Sequence, residues 1–171
     1  MPVSPARAAA FDILLRVEQQ DAYASELLHS DRLDQLSPAD RGLTTEIVMG
    51  VLRWRSRLDS SLAEQSSRPL EKLDAQVLTA LRIAAYQLLY LSRVPARAAI
   101  NESVELVKRA RKASAAPFAN AVLRKLTGAG PETSTTKTST NAAQLAAEYA
   151  HPEWLVERWV EHFGKDNAEA I

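Results

Sequence analysis

Apolar side chains recur every three or four residues through most of this 171-residue sequence, and a proline stands just before several of the apolar runs. This spacing puts the apolar side chains on one face of a helix, and no stretch alternates with the period of two that a strand requires. Proline suits the first turn of a helix, where its missing N–H has no acceptor to lose. The prolines concerned are Pro5, Pro38, Pro95, Pro117 and Pro152. We therefore predict an all-α fold.

The apolar spacing predicts six helices before residue 127, over about residues 5–20, 22–33, 38–62, 74–91, 95–112 and 117–126. The third is long for a globular protein, so we expect a break near residues 55–57. The fourth contains LRIAAYQLLYL, which is apolar on most sides and predicts the central, most buried helix. Residues 1–126 are expected to form one domain built from two small helical subdomains.

Residues 127–141, TGAGPETSTTKTSTN, predict a flexible linker because eight of the fifteen are Ser or Thr and they offer almost no apolar surface to bury. A helical pattern returns over residues 142–171, which we interpret as a helical connector. At this helical spacing of apolar side chains we expect Trp154 and Trp159 to pack against a neighbouring domain. The last residues, KDNAEAI, resemble a first helical turn, so we expect the sequence to stop within an element.

Composition excludes several kinds of chemistry. The sequence has no cysteine, which rules out disulfides, thiolate metal sites and a cysteine nucleophile within this chain, and its three histidines are scattered. We therefore expect no metal site. The longest apolar runs are too short to span a bilayer and residues 1–20 lack a signal-peptide pattern, so a cytoplasmic location is expected.

Charge is unevenly distributed along a chain whose overall net charge is zero. Residues 1–40 carry a net charge of −4, residues 41–130 a net charge of +8 and residues 131–171 a net charge of −4. Because local potential governs what a surface attracts, the middle segment is the part that would bind a polyanion.

Four segments in order resemble a known family: SPADRGLTTEIVMGVLRWRSRLD, LDAQVLTALRIAAYQLLYLSRVP, AAINESVELVKRA and FANAVLRKL. Together they are similar to the NusB-like RNA-binding domain over about residues 5–126. The later YAHPEWLVERWVEHFGKDNAEAI is similar to the N-terminal region of RsmB-type ribosomal RNA cytosine-5 methyltransferases. The resemblance implies a NusB-like helical bundle that binds ribosomal RNA and presents it to a methyltransferase domain joined in cis.

The same resemblance implies S-adenosylmethionine as the cofactor of the longer protein, together with a cysteine nucleophile. This chain has no cysteine and its five glycines form no G-x-G-x-x-G loop, so we expect it to be no enzyme by itself and to hold no cofactor. One alternative is a free-standing NusB-type transcription antitermination factor, which would bind single-stranded RNA together with a small ribosomal protein. Another is a helical protein–protein module whose basic face is merely solvated.

Eight basic side chains are the candidate RNA contacts. Arg53 and Arg57 share one helix face, and three other candidates crowd the last turn of a helix. Arg7 lies in a first helical turn, where a cation opposes the helix dipole, and the resemblance also implies RNA contact there. The full set is Arg7, Arg53, Arg57, Lys108, Arg109, Lys112, Arg124 and Lys125.

Several of these charges have a structural alternative. Arg55 could pair with Asp59 at i+4, and Glu105 with Lys108 or Arg109. Asn101, Glu102 and Asn120 match family motif positions, and we expect them to make hydrogen bonds that join helices rather than to act in acid–base chemistry.

Overall fold

Helix starts follow the local chemistry of the sequence in the computed structural model, which describes residues 2–128, 142–164 and 167–168. Pro5 and Pro38 occupy the first positions of their helices. The Ser37 hydroxyl accepts a hydrogen bond from the backbone N–H of Asp40 (3.1 Å) and donates one to its carboxylate (2.7 Å), which satisfies a backbone donor at the helix start. Pro95 and Pro152 instead stand one residue before their helices.

The described residues form helices and contain no strand, which confirms the all-α prediction. The helices are α1 (Pro5–Gln20), α2 (Ala24–Leu28), α3 (Asp31–Asp34), α4 (Pro38–Arg53), α5 (Arg55–Gln65), α6 (Ala75–Tyr90), α7 (Ala96–Arg109), α8 (Ala116–Gly128), α9 (Ala142–Tyr149) and α10 (Glu153–Phe163).

Two predicted helices are divided. The expected break in the long third helix falls at Trp54, whose backbone angles (φ −98°, ψ 14°) end α4 and begin α5. The region predicted as one helix over 22–33 instead forms the short helices α2 and α3, separated at His29 and Ser30. Because each is only a turn or so long, both depend on packing of Leu27, Leu28 and Leu33 against the main core.

The central helix is α6, as its sequence predicts. It packs against α1 and α4 on one side and against α5, α7 and α8 on the other. Leu81 and Ala84 are fully buried, and Ile83 is 1% exposed. Burial of each such large aliphatic side chain contributes about 1.5–3 kcal/mol, so α6 holds the two halves of the bundle together.

Long-range ion pairs also join the helices, with partners that differ from the sequence prediction. Asp59 does not pair with Arg55; its two carboxylate oxygens accept hydrogen bonds from Arg82 on α6 (2.7 and 2.8 Å). Arg55 instead donates to Glu18 on α1 (2.7 Å), and Glu18 also lies 3.7 Å from Arg82. The bidentate geometry of the buried Arg82 guanidinium explains why Asp59 prefers it to a solvent-exposed neighbour.

Helices α9 and α10 pack on each other around Leu145, Ala146 and Val156, and α9 also contacts α5. Residues 129–141, which hold most of the predicted linker, lie outside the described residues, whereas Thr127 and Gly128 belong to α8.

No helix in the described part of the chain is long and apolar enough to cross a membrane. No group of three or more His, Asp or Glu in that part could hold a metal ion.

Candidate nucleic-acid interface

Arg7 is a structural residue in this fold. It is 8% exposed, and its guanidinium donates to Gln87 on α6 (2.7 Å), to Glu102 on α7 (3.0 Å) and to Ser4 (3.0 Å). Glu102 also accepts a hydrogen bond from the backbone N–H of Ser4 (2.8 Å), which confirms its expected role in joining helices. With these contacts made inside the bundle, the Arg7 guanidinium is largely shielded from solvent, and RNA contact by this residue stays a prediction.

Three arginines flank the break at Trp54, and two of them lie over its indole ring; we call Arg53, Trp54, Arg55 and Arg57 the arginine–tryptophan cluster. The guanidinium carbons of Arg53 and Arg57 lie 5.6 and 5.9 Å from the ring centroid of Trp54. Arginine over an aromatic face is favourable, and the contact restrains both side chains near the ring. Arg55 does not share this contact, since its guanidinium donates to Glu18 on α1 (2.7 Å).

Trp54 belongs to a stack of three aromatic rings that holds its indole in place. Trp54 stacks on Tyr90 (centroids 5.1 Å apart, planes at 22°), and Tyr90 stacks on Tyr86 (5.3 Å, 22°). The Tyr86 hydroxyl donates a hydrogen bond to Glu46 (2.5 Å), and Gly50 leaves the space that the Tyr86 ring fills. Burial raises the pKa of Tyr86, and the Glu46 carboxylate raises it further.

Tyr90, in the middle of the stack, is affected in two opposite ways. Burial raises the pKa of its hydroxyl, while the positive charge of Arg57 acts in the opposite direction. Both tyrosines therefore stay neutral at physiological pH, and the stack adds no negative charge beneath the arginines.

A second group of cations lies at the end of α7, and much of it is paired. Lys108 donates to Glu105 (2.6 Å), as the sequence allowed, and this hydrogen bond lowers the pKa of the Glu105 carboxyl. Lys112 donates to Asp74, the residue just before α6 (2.9 Å). Arg109 is exposed and makes no hydrogen bond or ion pair within the described residues.

These two groups are far apart. The arginine–tryptophan cluster contacts Tyr90 at the end of α6, whereas Lys112 contacts Asp74 before its start. Sixteen helical residues separate these points, which is about 24 Å along the α6 axis. Arg124 and Lys125 are exposed near the end of α8, where Arg124 donates to Asn120 within the same helix (3.2 Å). The arginine–tryptophan cluster and the cations at the end of α7 thus lie near opposite ends of α6.

Sequence reasoning did not single out Trp54 or His151 as parts of an interface. His151 precedes α10, and its ring meets the Trp159 ring edge to face, with centroids 5.2 Å apart. The available signal for Trp54 was the segment RWRSR, which interleaves an aromatic ring with arginines. For His151 no local signal exists, because its position beside the cluster depends on how α9 packs against α5.

The helical arrangement is that of known NusB structures. A crystal structure of the antitermination factors NusB and NusE in complex with double-stranded RNA contains a chain that superposes with a TM-score of 0.65. The two chains are 22% identical, and the match covers 72% of this chain and 94% of that chain. This likeness establishes the class of fold as a NusB helical bundle.

The sequence comparison then gives the family. The sequence model of the NusB family matches residues 4–128, so this chain belongs to the NusB family. A Bacillus subtilis (strain 168) relative named "Probable ribosomal RNA small subunit methyltransferase B" is 37% identical over 172 residues, which cover 100% of this chain and 38% of that protein. The transcription antitermination protein NusB of Syntrophomonas wolfei is 30% identical over 129 residues, which cover 72% of this chain and 93% of that protein. The resemblance noted in the sequence is confirmed.

Proposed function

We propose that this chain is the RNA-binding N-terminal part of an S-adenosylmethionine-dependent ribosomal RNA (cytosine-5) methyltransferase. The observation that carries the proposal is the alignment along the whole chain, including residues 129–171, with a relative named as a probable ribosomal RNA small subunit methyltransferase. The chain spans 38% of that relative's length, so the catalytic part of the longer protein would follow the region matched here. The chain would bind ribosomal RNA in the cytoplasm and hold it for that domain.

The chemistry of methyl transfer would belong to that further domain. This sequence has no cysteine, and its five glycines form no cofactor loop, so its residues do not fit the binding of S-adenosylmethionine. We expect a pure sample supplied with radiolabelled S-adenosylmethionine and ribosomal RNA to incorporate no label. Protein-dependent incorporation would contradict the proposal.

An exposed aromatic side chain on α10 supports the expected partner in cis. Trp154 is 63% exposed, whereas Trp159 packs against the small core between α9 and α10. A tryptophan with this exposure gains free energy when a neighbouring surface covers it. We propose that the methyltransferase domain covers Trp154.

The second candidate is a free-standing antitermination factor, which the similarity to the Syntrophomonas wolfei protein favours. That alignment covers 72% of this chain, whereas the alignment with the methyltransferase relative covers 100% of it, α9 and α10 included. Whole-chain similarity to the methyltransferase relative accounts for these helices.

RNA binding through phosphates is tested by its salt dependence. Each phosphate contact on a single strand contributes about −0.7 to the slope of log affinity against log salt concentration, so four or five contacts shared between the two separated groups of cations give about −3. We expect this slope for the 171-residue chain and a ribosomal RNA hairpin in a fluorescence-anisotropy titration. Replacing Lys108, Arg109 and Lys112 together by Gln should flatten the slope by about 2.

The folding of the triple variant should be unaffected, because exposed ion pairs contribute little to stability. Arg16→Gln, which removes an exposed charge from the acidic N-terminal region, is the control and should leave the slope unchanged. A parent slope near zero would contradict RNA binding by phosphate contact. If the triple variant keeps the parent slope, the cations at the end of α7 do not contact the RNA and have only a structural role.

A further inference from the structure

An open cleft lies between the arginine–tryptophan cluster and the turn that joins α9 to α10. Its volume is about 310 Å³, at the lower end of the range for small-ligand sites. One wall comes from the α4–α5 junction and the other from the C-terminal helix pair. The side chains lining it are Leu52, Arg53, Trp54, Arg55, Ser56 and Arg57 on the first wall, and Ala146, Ala150, His151 and Pro152 on the second.

The cleft is strongly positive. Three arginines line one wall, and none of the described side chains lining either wall is a carboxylate. Arg55 is paired with Glu18, but this pair is exposed to solvent and is weak enough to yield to a stronger anion.

The dipole of α5 disfavours the positive charges at its first turn. Arg55 and Arg57 lie in the first turn of α5, where the positive end of the helix dipole opposes them, and no acidic residue occupies that turn. The dipole of α5 thus does not account for cations at this helix start, whereas a bound anion would be favoured by the arginines and by the helix start together.

The opposite wall is apolar and neutral apart from His151. Ala146, Ala150 and Pro152 present small apolar surfaces to the cleft. On the cationic wall, the Trp54 ring that Arg53 and Arg57 contact is itself stacked on Tyr90. A ligand that matches both walls carries a negative charge on one side and a flat, weakly polar group on the other.

We propose that this cleft binds one unpaired nucleotide of an RNA strand, such as a nucleotide in a hairpin loop. Its phosphate lies on Arg53 and Arg55, and its base and ribose lie against Ala150, His151 and Pro152. This proposal rests on the proposed function, and it adds where the RNA binds and that the bound nucleotide is unpaired. A base-paired helix is too wide to enter a cleft of this volume, so the site selects single-stranded RNA. The α9–α10 pair thereby becomes part of the RNA site.

Acidic substitutions from both walls test the site in the full 171-residue chain. Ser56→Glu adds a carboxylate to the first wall and His151→Glu adds one to the second. Their matched controls are Ser60→Glu, one turn further along α5, and His162→Glu on α10, neither of which lines the cleft. The probe is a fluorescein-labelled single-stranded oligoribonucleotide about 12 nucleotides long, compared with a duplex of the same sequence.

We expect Ser56→Glu and His151→Glu each to weaken binding of the single strand about five- to tenfold, since a new carboxylate would lie close to the phosphate. The two controls should weaken it less than about twofold, and binding of the duplex should change equally little in all four variants. Circular dichroism should give the same helix content for every variant.

Failure of the proposed function and failure of the proposed site would give different results. If the parent chain binds neither probe, the proposed function fails and this site with it. If the parent binds RNA but the cleft variants bind as their controls do, only the site is overturned. Equal weakening of single strand and duplex, or displacement of the RNA by an acidic peptide at the same charge concentration, would also overturn the proposal, because either result would mean that the cleft recognises charge alone.

Discussion

Replacement of Gly50 by alanine tests the packing that supports the arginine–tryptophan cluster. A Cβ atom at Gly50 would overlap the Tyr86 ring at Cζ, Oη and Cε1. That ring cannot move aside freely, because it is 5% exposed, stacks on Tyr90 and donates a hydrogen bond to Glu46. The substitution therefore forces either the helix or the ring out of position.

The magnitude follows from three contributions. Overpacking costs about 1–3 kcal/mol, and loss of a hydrogen bond to a charged acceptor costs about 1.5–3 kcal/mol. Alanine is better than glycine inside a helix by about 1 kcal/mol, which offsets part of this loss. We expect Gly50→Ala to lower the free energy of unfolding by about 2–4 kcal/mol.

Gly42 provides the matched control on the same helix. A Cβ atom there would meet nothing within 4 Å, so Gly42→Ala should raise the free energy of unfolding by about 0.5–1 kcal/mol. Urea unfolding followed by far-UV circular dichroism measures both variants. In a Tyr86→Ala background, Gly50→Ala should become stabilising, because the overlap is gone. If Gly50→Ala were as stable as the parent, or destabilising by the same amount without the Tyr86 ring, the packing argument would be wrong.

Two further predictions concern buried polar groups. Because the pKa of Tyr86 is raised in the folded state, its contribution to stability is present below pH of about 10 and is lost as the pH rises above that value. Urea unfolding at several alkaline pH values should show a smaller loss of stability in Tyr86→Phe than in the parent, while Tyr23→Phe, at a position 72% exposed, should match the parent. Arg7→Ala should lower the free energy of unfolding by about 3–5 kcal/mol because it leaves Glu102 largely buried without its ion pair, whereas the exposed Arg16→Ala should change it by less than about 0.5 kcal/mol. An Arg7→Ala variant as stable as Arg16→Ala would show that the buried pair contributes nothing.

The sequence by itself determined the central position of α6 and most of the helices, although the region predicted as one helix over 22–33 forms the two short helices α2 and α3. Proline, the Ser37 cap and the spacing of apolar side chains act within a few residues, so their consequences are visible without any knowledge of the fold. The break near Arg55 was also predictable, because an unbroken helix of that length is unusual. The NusB resemblance could also be recognised from the sequence, because it rests on four helical segments that occur in the family's order.

Only the tertiary structure decided which charges are available to a ligand. Arg7 and Glu102 are 95 positions apart, and Arg55 and Glu18 are 37 apart, so no local pattern could pair them. No local pattern shows how the candidate cations are separated either. The separation arises because α4, α5 and α7 pack along α6, so that one group of cations lies near each end of that helix. A charge is identified by its residue type, but its role depends on burial and on the nearest opposite charge. Both are set by contacts between helices that are distant in the sequence.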